Sequence, residues 1–124
     1  SDYLAQEGRR LGLEVIQDET LNVIIKKEAS EGYENSPAVI LQGHMDMVCE
    51  KNKDTDHNFV TDPIKLRVED DMIYATGTSL GADNGIAVAM GMAVLASNNL
   101  EHPAIEVLIT TDEEAGSGRI YGGL

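Results

Sequence analysis

The sequence predicts an α/β fold with a mixed, largely parallel central sheet and flanking helices. Two apolar runs, "AVILQG" at 38–43 and "AIEVLIT" at 104–110, lead straight into the polar clusters "HMD" and "TDEE". Between them "GIAVAMGMAVLA" at 85–96 carries Ala and Met on every side, the pattern of a helix packed on a sheet. Strand, helical crossover and strand together predict two parallel neighbours with a right-handed connection. In such sheets, ligand sites gather at the carboxyl ends of the strands.

The elements follow in order. "YLAQEGRRLGLEV" reads as the closing turns of a helix, with Gly12 as a left-handed stop and no capping residue ahead of it. The chain is therefore expected to begin inside an element. "LEVIQ" and "NVIIKKE" are two strands joined by the polar turn "DETLN", and Pro37 restricts the entry to "AVILQG", which reads as a central strand apolar on both faces. Ile64, Leu66 and Val68 alternate with Lys65, Arg67 and Glu69 before "DD" turns the chain back, which predicts a half-exposed hairpin. No internal repeat and no low-complexity segment appear.

A chain of 124 residues accommodates one domain with a single core. Its 42% hydrophobic content with no Trp and one Phe makes that core aliphatic. Nine basic against 22 acidic residues give a net charge of −13, which repels phosphate backbones and anionic headgroups. No nucleic acid and no membrane surface is expected as a partner. The longest apolar run falls short of the roughly 20 residues that a bilayer span needs. One cysteine makes no internal disulfide and no signal peptide is recognised, so a cytoplasmic setting is the expectation.

Three segments carry the candidate chemistry. Residues two apart on a strand share a face, so His44 and Asp46 project together, as a metal-bound imidazole oriented by a carboxylate requires. The triplet alone also suits a hydrogen-bonded core histidine. Asp83, in "LGADNG" ahead of the apolar helix, is either a helix N-cap or a site carboxylate. Asp112, Glu113 and Glu114 would repel one another at a buried sheet edge unless cations compensate; otherwise they are solvated in a turn with Gly116. Taken together, one imidazole and several carboxylates at one edge suit divalent ions such as zinc. Cys49 has the parity of Met45 and Met47 if the strand continues, which predicts a buried thiol; His57 and His102 fall in polar connections and are expected in surface or turn roles.

"VILQGHMDMVCEKN", "TSLGADNGIAVAM" and "EVLITTDEEAG", in this order and spacing, closely resemble the aminoacyl-histidine (Xaa-His) dipeptidases of the dizinc exopeptidase family that includes carnosinases, aminoacylases and peptidase T. The resemblance runs from about Tyr3 to Gly116. It implies a zinc-dependent exopeptidase-like catalytic domain that hydrolyses dipeptides, typically Xaa-His including β-alanyl-histidine, by a metal-bridged hydroxide. By the same resemblance His44, Asp83 and Glu114 are metal ligands, with Asp83 bridging two Zn2+ (or Co2+ or Mn2+) and followed by a cis peptide bond. Asp46 orients His44, and Glu113 is the general base.

A later aspartate and histidine ligand, and the lid domain through which the family dimerises, have no counterpart here. The tail "SGRIYGGL" departs from the family pattern. Residues 1–124 are therefore expected to be a partial catalytic domain with incomplete metal binding and little activity alone, from a full-length homodimer. A reading of another class is a noncatalytic acidic α/β module that binds a cation or a partner at the same edge.

Overall fold

The computed structural model describes residues 1–115; Gly116 and the tail "SGRIYGGL" lie outside the described residues. The elements are α1 (Asp2–Arg10), β1 (Glu14–Gln17), β2 (Val23–Lys27), β3 (Val39–His44), β4 (Leu66–Glu69), β5 (Met72–Ala75), α2 (Ala82–Ala96) and β6 (Ile105–Thr110). Gly12, at φ 74°, takes the left-handed conformation that ends the opening helix.

The main sheet has the strand order β1-β2-β6-β3. A short turn forces β1 and β2 to pair antiparallel, and β2 also pairs antiparallel with β6. The β3 and β6 strands run parallel from Val39 opposite Ile105 to His44 opposite Thr110, across the predicted helical crossover. The sheet is mixed, as predicted, and among the described residues its parallel share is this one pair. Parallel pairing brings the carboxyl ends of β3 and β6 side by side, and the ladder extends one step further through the Met45 N–H to the Thr110 carbonyl.

The core lies between the sheet and the two helices. Val23, Ile25, Val107 and Ile109 are fully buried and pack with Ala5 of α1 and Leu95 of α2. Small residues let α2 sit close: a Cβ built on Gly43 would lie 2.9 Å from the Ala87 Cβ, and one on Gly91 2.8 Å from the Val107 Cγ1. The last turn of α2 contains no basic residue. Lys27 compensates from β2, its Nζ donating to the carbonyls of Val94, Leu95 and Ser97 at the helix's negative end.

Four expectations need correction. The β3 strand is an edge of the described sheet, not a central strand, and Val39 and Ile40 are exposed. An apolar run fixes that a strand can be buried on both faces, not that it has two neighbours. The β4–β5 hairpin forms at the predicted place, closing through Asp70 and Asp71, but Leu66, Val68, Met72 and Ile73 are exposed because no described element packs on it. Cys49 is exposed, since β3 ends at His44 and strand parity does not carry to residue 49. His57 and His102 sit in connections as expected but are buried, His57 edge-on to Phe59 and His102 held to the Pro103 carbonyl through Nδ1.

Candidate metal centre

His44 ends β3 with its side chain only 7% exposed. Its Nδ1 lies 3.0 Å from the Asp46 carbonyl oxygen and 3.4 Å from Asp46 Oδ1. A carbonyl can only accept, so Nδ1 carries the proton and Nε2 faces outward. His44 and Asp46 are thus neighbours, but the hydrogen bond to the ring is made by the backbone carbonyl and not by the carboxylate. Asp46 lies beyond the strand, and its Oδ2 accepts the backbone N–H of Glu114 at 3.0 Å. Its Oδ1 is buried without a hydrogen-bond partner among the described residues and stands 3.4 Å from His44 Nδ1.

The outer nitrogen of His44 meets acids from two further segments. Asp83 Oδ1 stands 3.1 Å from Nε2 and Glu113 Oε2 stands 3.7 Å from it. Asp83 is not an N-cap: that position belongs to Gly81, at φ 78°, and no side chain caps α2. Asp83 and Asn84 have non-helical backbone angles inside the first turn, and the peptide bond between them is cis, as the resemblance implies. The Asp83 side chain is 88% exposed and reaches over the end of β3. Strand β6 has ended by Glu113, which with Glu114 lies in an exposed turn, so the three acids do not share a buried edge.

The electrostatics follow from this arrangement. Burial opposes a charged His44 ring, but the Asp46 carbonyl, Asp83, and the Glu113 and Asp46 carboxylates outweigh it and raise its pKa above the ordinary value. Burial likewise opposes an ionised Asp46, yet the backbone N–H groups of Glu114, Glu113 and Asp46 together with His44 hold its carboxyl below the usual range. Both nitrogens of one ring therefore face acceptors. A doubly protonated ring would satisfy both, and a cation at Nε2 would be met by the neutral ligating form.

One donor atom each from His44, Glu113 and Glu114 lies within 4.8 Å of the other two. Imidazole nitrogen with carboxylate oxygens is a donor set that suits zinc and related divalent ions, and it faces the solvent-accessible side. The residues fit a metal. The five residues to which the resemblance gives site roles, His44, Asp46, Asp83, Glu113 and Glu114, lie together at this edge, while Cys49, His57 and His102 do not join them. The sequence reading missed Asn22, which lay in "DETLN" with no more signal than a polar turn; its buried amide bonds to Thr111, at the exit of β6.

Residues 40–124 match the peptidase family M20/M25/M40, and the match takes in the tail that departs from the pattern. The chain is 43% identical over 122 residues to the cytosol non-specific dipeptidase of Escherichia coli, across 98% of this chain and 25% of that protein. The crystal structure of aminoacylhistidine dipeptidase from Vibrio alginolyticus is similar at 50% identity and a TM-score of 0.88, covering 93% of this chain and 24% of that one. That of aminopeptidase PepT from Bacillus cereus is similar at 30% identity and a TM-score of 0.67, covering 93% and 31%. The chain spans about a quarter of the length of the two dipeptidases.

Proposed function

We propose that this chain, which belongs to peptidase family M20/M25/M40, forms part of the catalytic domain of a metal-dependent dipeptidase. The activity is that of the protein containing residues 1–124, with a lid and dimerisation domain, an aspartate and a histidine ligand supplied from elsewhere. The substrates are dipeptides with a free N-terminus, Xaa-His and β-alanyl-histidine among them, hydrolysed in the cytoplasm by a homodimer. The names of the two dipeptidase relatives, one non-specific and one aminoacylhistidine, both fall within this class.

The observation that carries the reading is the outer nitrogen of His44, which meets carboxylates from two distant segments while Asp46 holds the ring from behind. His44, Asp83 and Glu114 would hold the metal, two Zn2+ in this reading. Ions held there would supply an acidified water and Lewis acidity toward the scissile carbonyl. Asp46 keeps the proton of His44 on Nδ1 and so keeps Nε2 free to ligate. Glu113, half-exposed beside the ligands, takes the proton from the attacking water and returns it to the leaving amine. The open face of Asp83 and Glu113 is where a substrate amide approaches.

Glu113→Ala in the complete protein tests the assignment. Hydrolysis of Xaa-His dipeptides should fall about 10²- to 10⁴-fold while metal content, measured by elemental analysis, stays at the unsubstituted level. Full activity in the variant would remove Glu113 from the role of base. A complete protein that binds divalent ions and hydrolyses no dipeptide would favour the noncatalytic module instead.

A further inference from the structure

We propose that Asn22 is a positioning residue for Glu113 and Glu114, holding from the β1–β2 turn the loop that carries them. The inference rests on the role given to those glutamates above. Asn22 is 89 positions away from Thr111 in sequence and only 7% exposed. Its Oδ1 accepts the backbone N–H of Thr111 at 2.9 Å. Its Nδ2 donates to Asp18 Oδ2 and to Thr20 Oγ1, both at 2.9 Å, so the amide cannot rotate without breaking a bond. The Thr111 hydroxyl adds a second tie, donating to the Thr20 carbonyl at 2.9 Å.

Behind the amide stands an ionised Asp18. Burial works against its charge, but the side chains of Asn22 and Thr20 and the backbone N–H groups of both residues hold its pKa below the ordinary value. The turn is thereby a rigid polar block of Asp18, Thr20 and Asn22 rather than a loose connection.

The block acts on a short lever. Asp112 takes a left-handed backbone at φ 60°, so the chain changes direction between Thr111 and Glu113. Beyond the bend, the Glu114 N–H is tied to Asp46 Oδ2. Only Asp112 and Glu113 lie between these two anchored amides. One anchor belongs to the site itself; the other is Asn22, outside it. Ligand and base geometry must hold within about 0.5 Å to be productive, and a two-residue span between fixed points achieves this. Removing the amide would leave the part-buried Thr111 N–H without its protein acceptor and release one end of the span.

The test uses the complete protein and compares Asn22→Ala with Lys27→Met, which removes a part-buried polar tie at the far end of α2. Three readouts are taken: hydrogen exchange of the segment 105–115 in metal-free protein, affinity and visible absorption with Co2+, and dipeptide kinetics. Asn22→Ala should speed exchange at Thr111 to Glu114, weaken Co2+ binding and lower kcat by about 10- to 100-fold, with KM within about threefold. Lys27→Met should lower thermal stability and leave all three readouts unchanged. Thr111→Val, which deletes only the hydroxyl tie, should give the same pattern at smaller size and serves if the alanine variant does not fold.

Exchange, Co2+ binding and kcat that follow stability alone, equal in the two variants, would overturn the inference. A protein without dipeptidase activity in which Asn22→Ala still loosens 111–114 would overturn the proposed reaction and leave the brace standing. Unchanged exchange and kcat in an active enzyme would do the reverse.

Discussion

Strands β3 and β6 are parallel neighbours of equal length, both rich in Val, Leu and Ile, and both deliver acids or imidazole to the same edge. Their burial nevertheless differs along most of their length. In β6, flanked by β2 and β3 and covered by α2, Ile105, Val107, Leu108 and Ile109 are all buried. In β3, at the edge of the described sheet, only Gly43 and His44 are buried, the two residues under the start of α2. Burial here comes from neighbours and not from hydrophobicity. The one well-packed stretch of β3 is the stretch that the site uses.

The largest effect that separates the strands is a cavity. Ile109→Ala, at a residue 0% exposed, should cost about 2–5 kcal/mol in denaturant unfolding. Ile40→Ala, at a residue 47% exposed, should cost less than about 1 kcal/mol. Equal costs would mean that β3 is covered in the complete protein. The second effect targets the contact that buries the end of β3. Gly43→Val forces a side chain against Ala87, should cost about 1–3 kcal/mol by overpacking, and should lower dipeptidase activity by moving Asp83 off His44. Retained activity with lowered stability would detach α2 placement from function.

The smallest effect concerns how each strand's exit is held. His44 hands over to the Asp46 carbonyl, whereas Thr111 after β6 is tied to a turn that depends on an ionised Asp18. The folded-state pKa of Asp18 lies below its unfolded value. Its stabilisation is then fully present above the unfolded value of about 3.9 and is lost as pH falls through the lower folded value. The stability difference between the unsubstituted protein and Asp18→Asn should be constant near neutrality and shrink below about pH 4. A difference that grows toward acid would contradict the assigned sign.

The sequence made the site more legible than its surroundings. Apolar strands that run into His44 and into Asp112–Glu114, with a helix between them, predict convergence because parallel strands carry their ends to one edge, and Asp83 follows because the helix must start there. What was not legible depends on contacts that no local pattern encodes. The edge position of β3 and the exposure of the β4–β5 hairpin are set by what packs on them. The Cys49 assignment failed because it prolonged the β3 period past His44, where the chain leaves the strand. Asn22 was invisible because its partner is 89 positions away. The Asp18, Thr20 and Asn22 spacing hints at side-chain bonding within a turn, and nothing in it says what the turn grips.

In the proposed site His44, Asp83 and Glu114 hold metal while Glu113 stands by as base. Anomalous scattering at the zinc edge from crystals of the complete protein tests it most directly. Two peaks are expected, with Asp83 oxygens within about 2.2 Å of both, His44 Nε2 and a Glu114 oxygen each on one, and Glu113 coordinating neither. Peaks bound elsewhere, or a Glu113 carboxylate ligating directly, would contradict it.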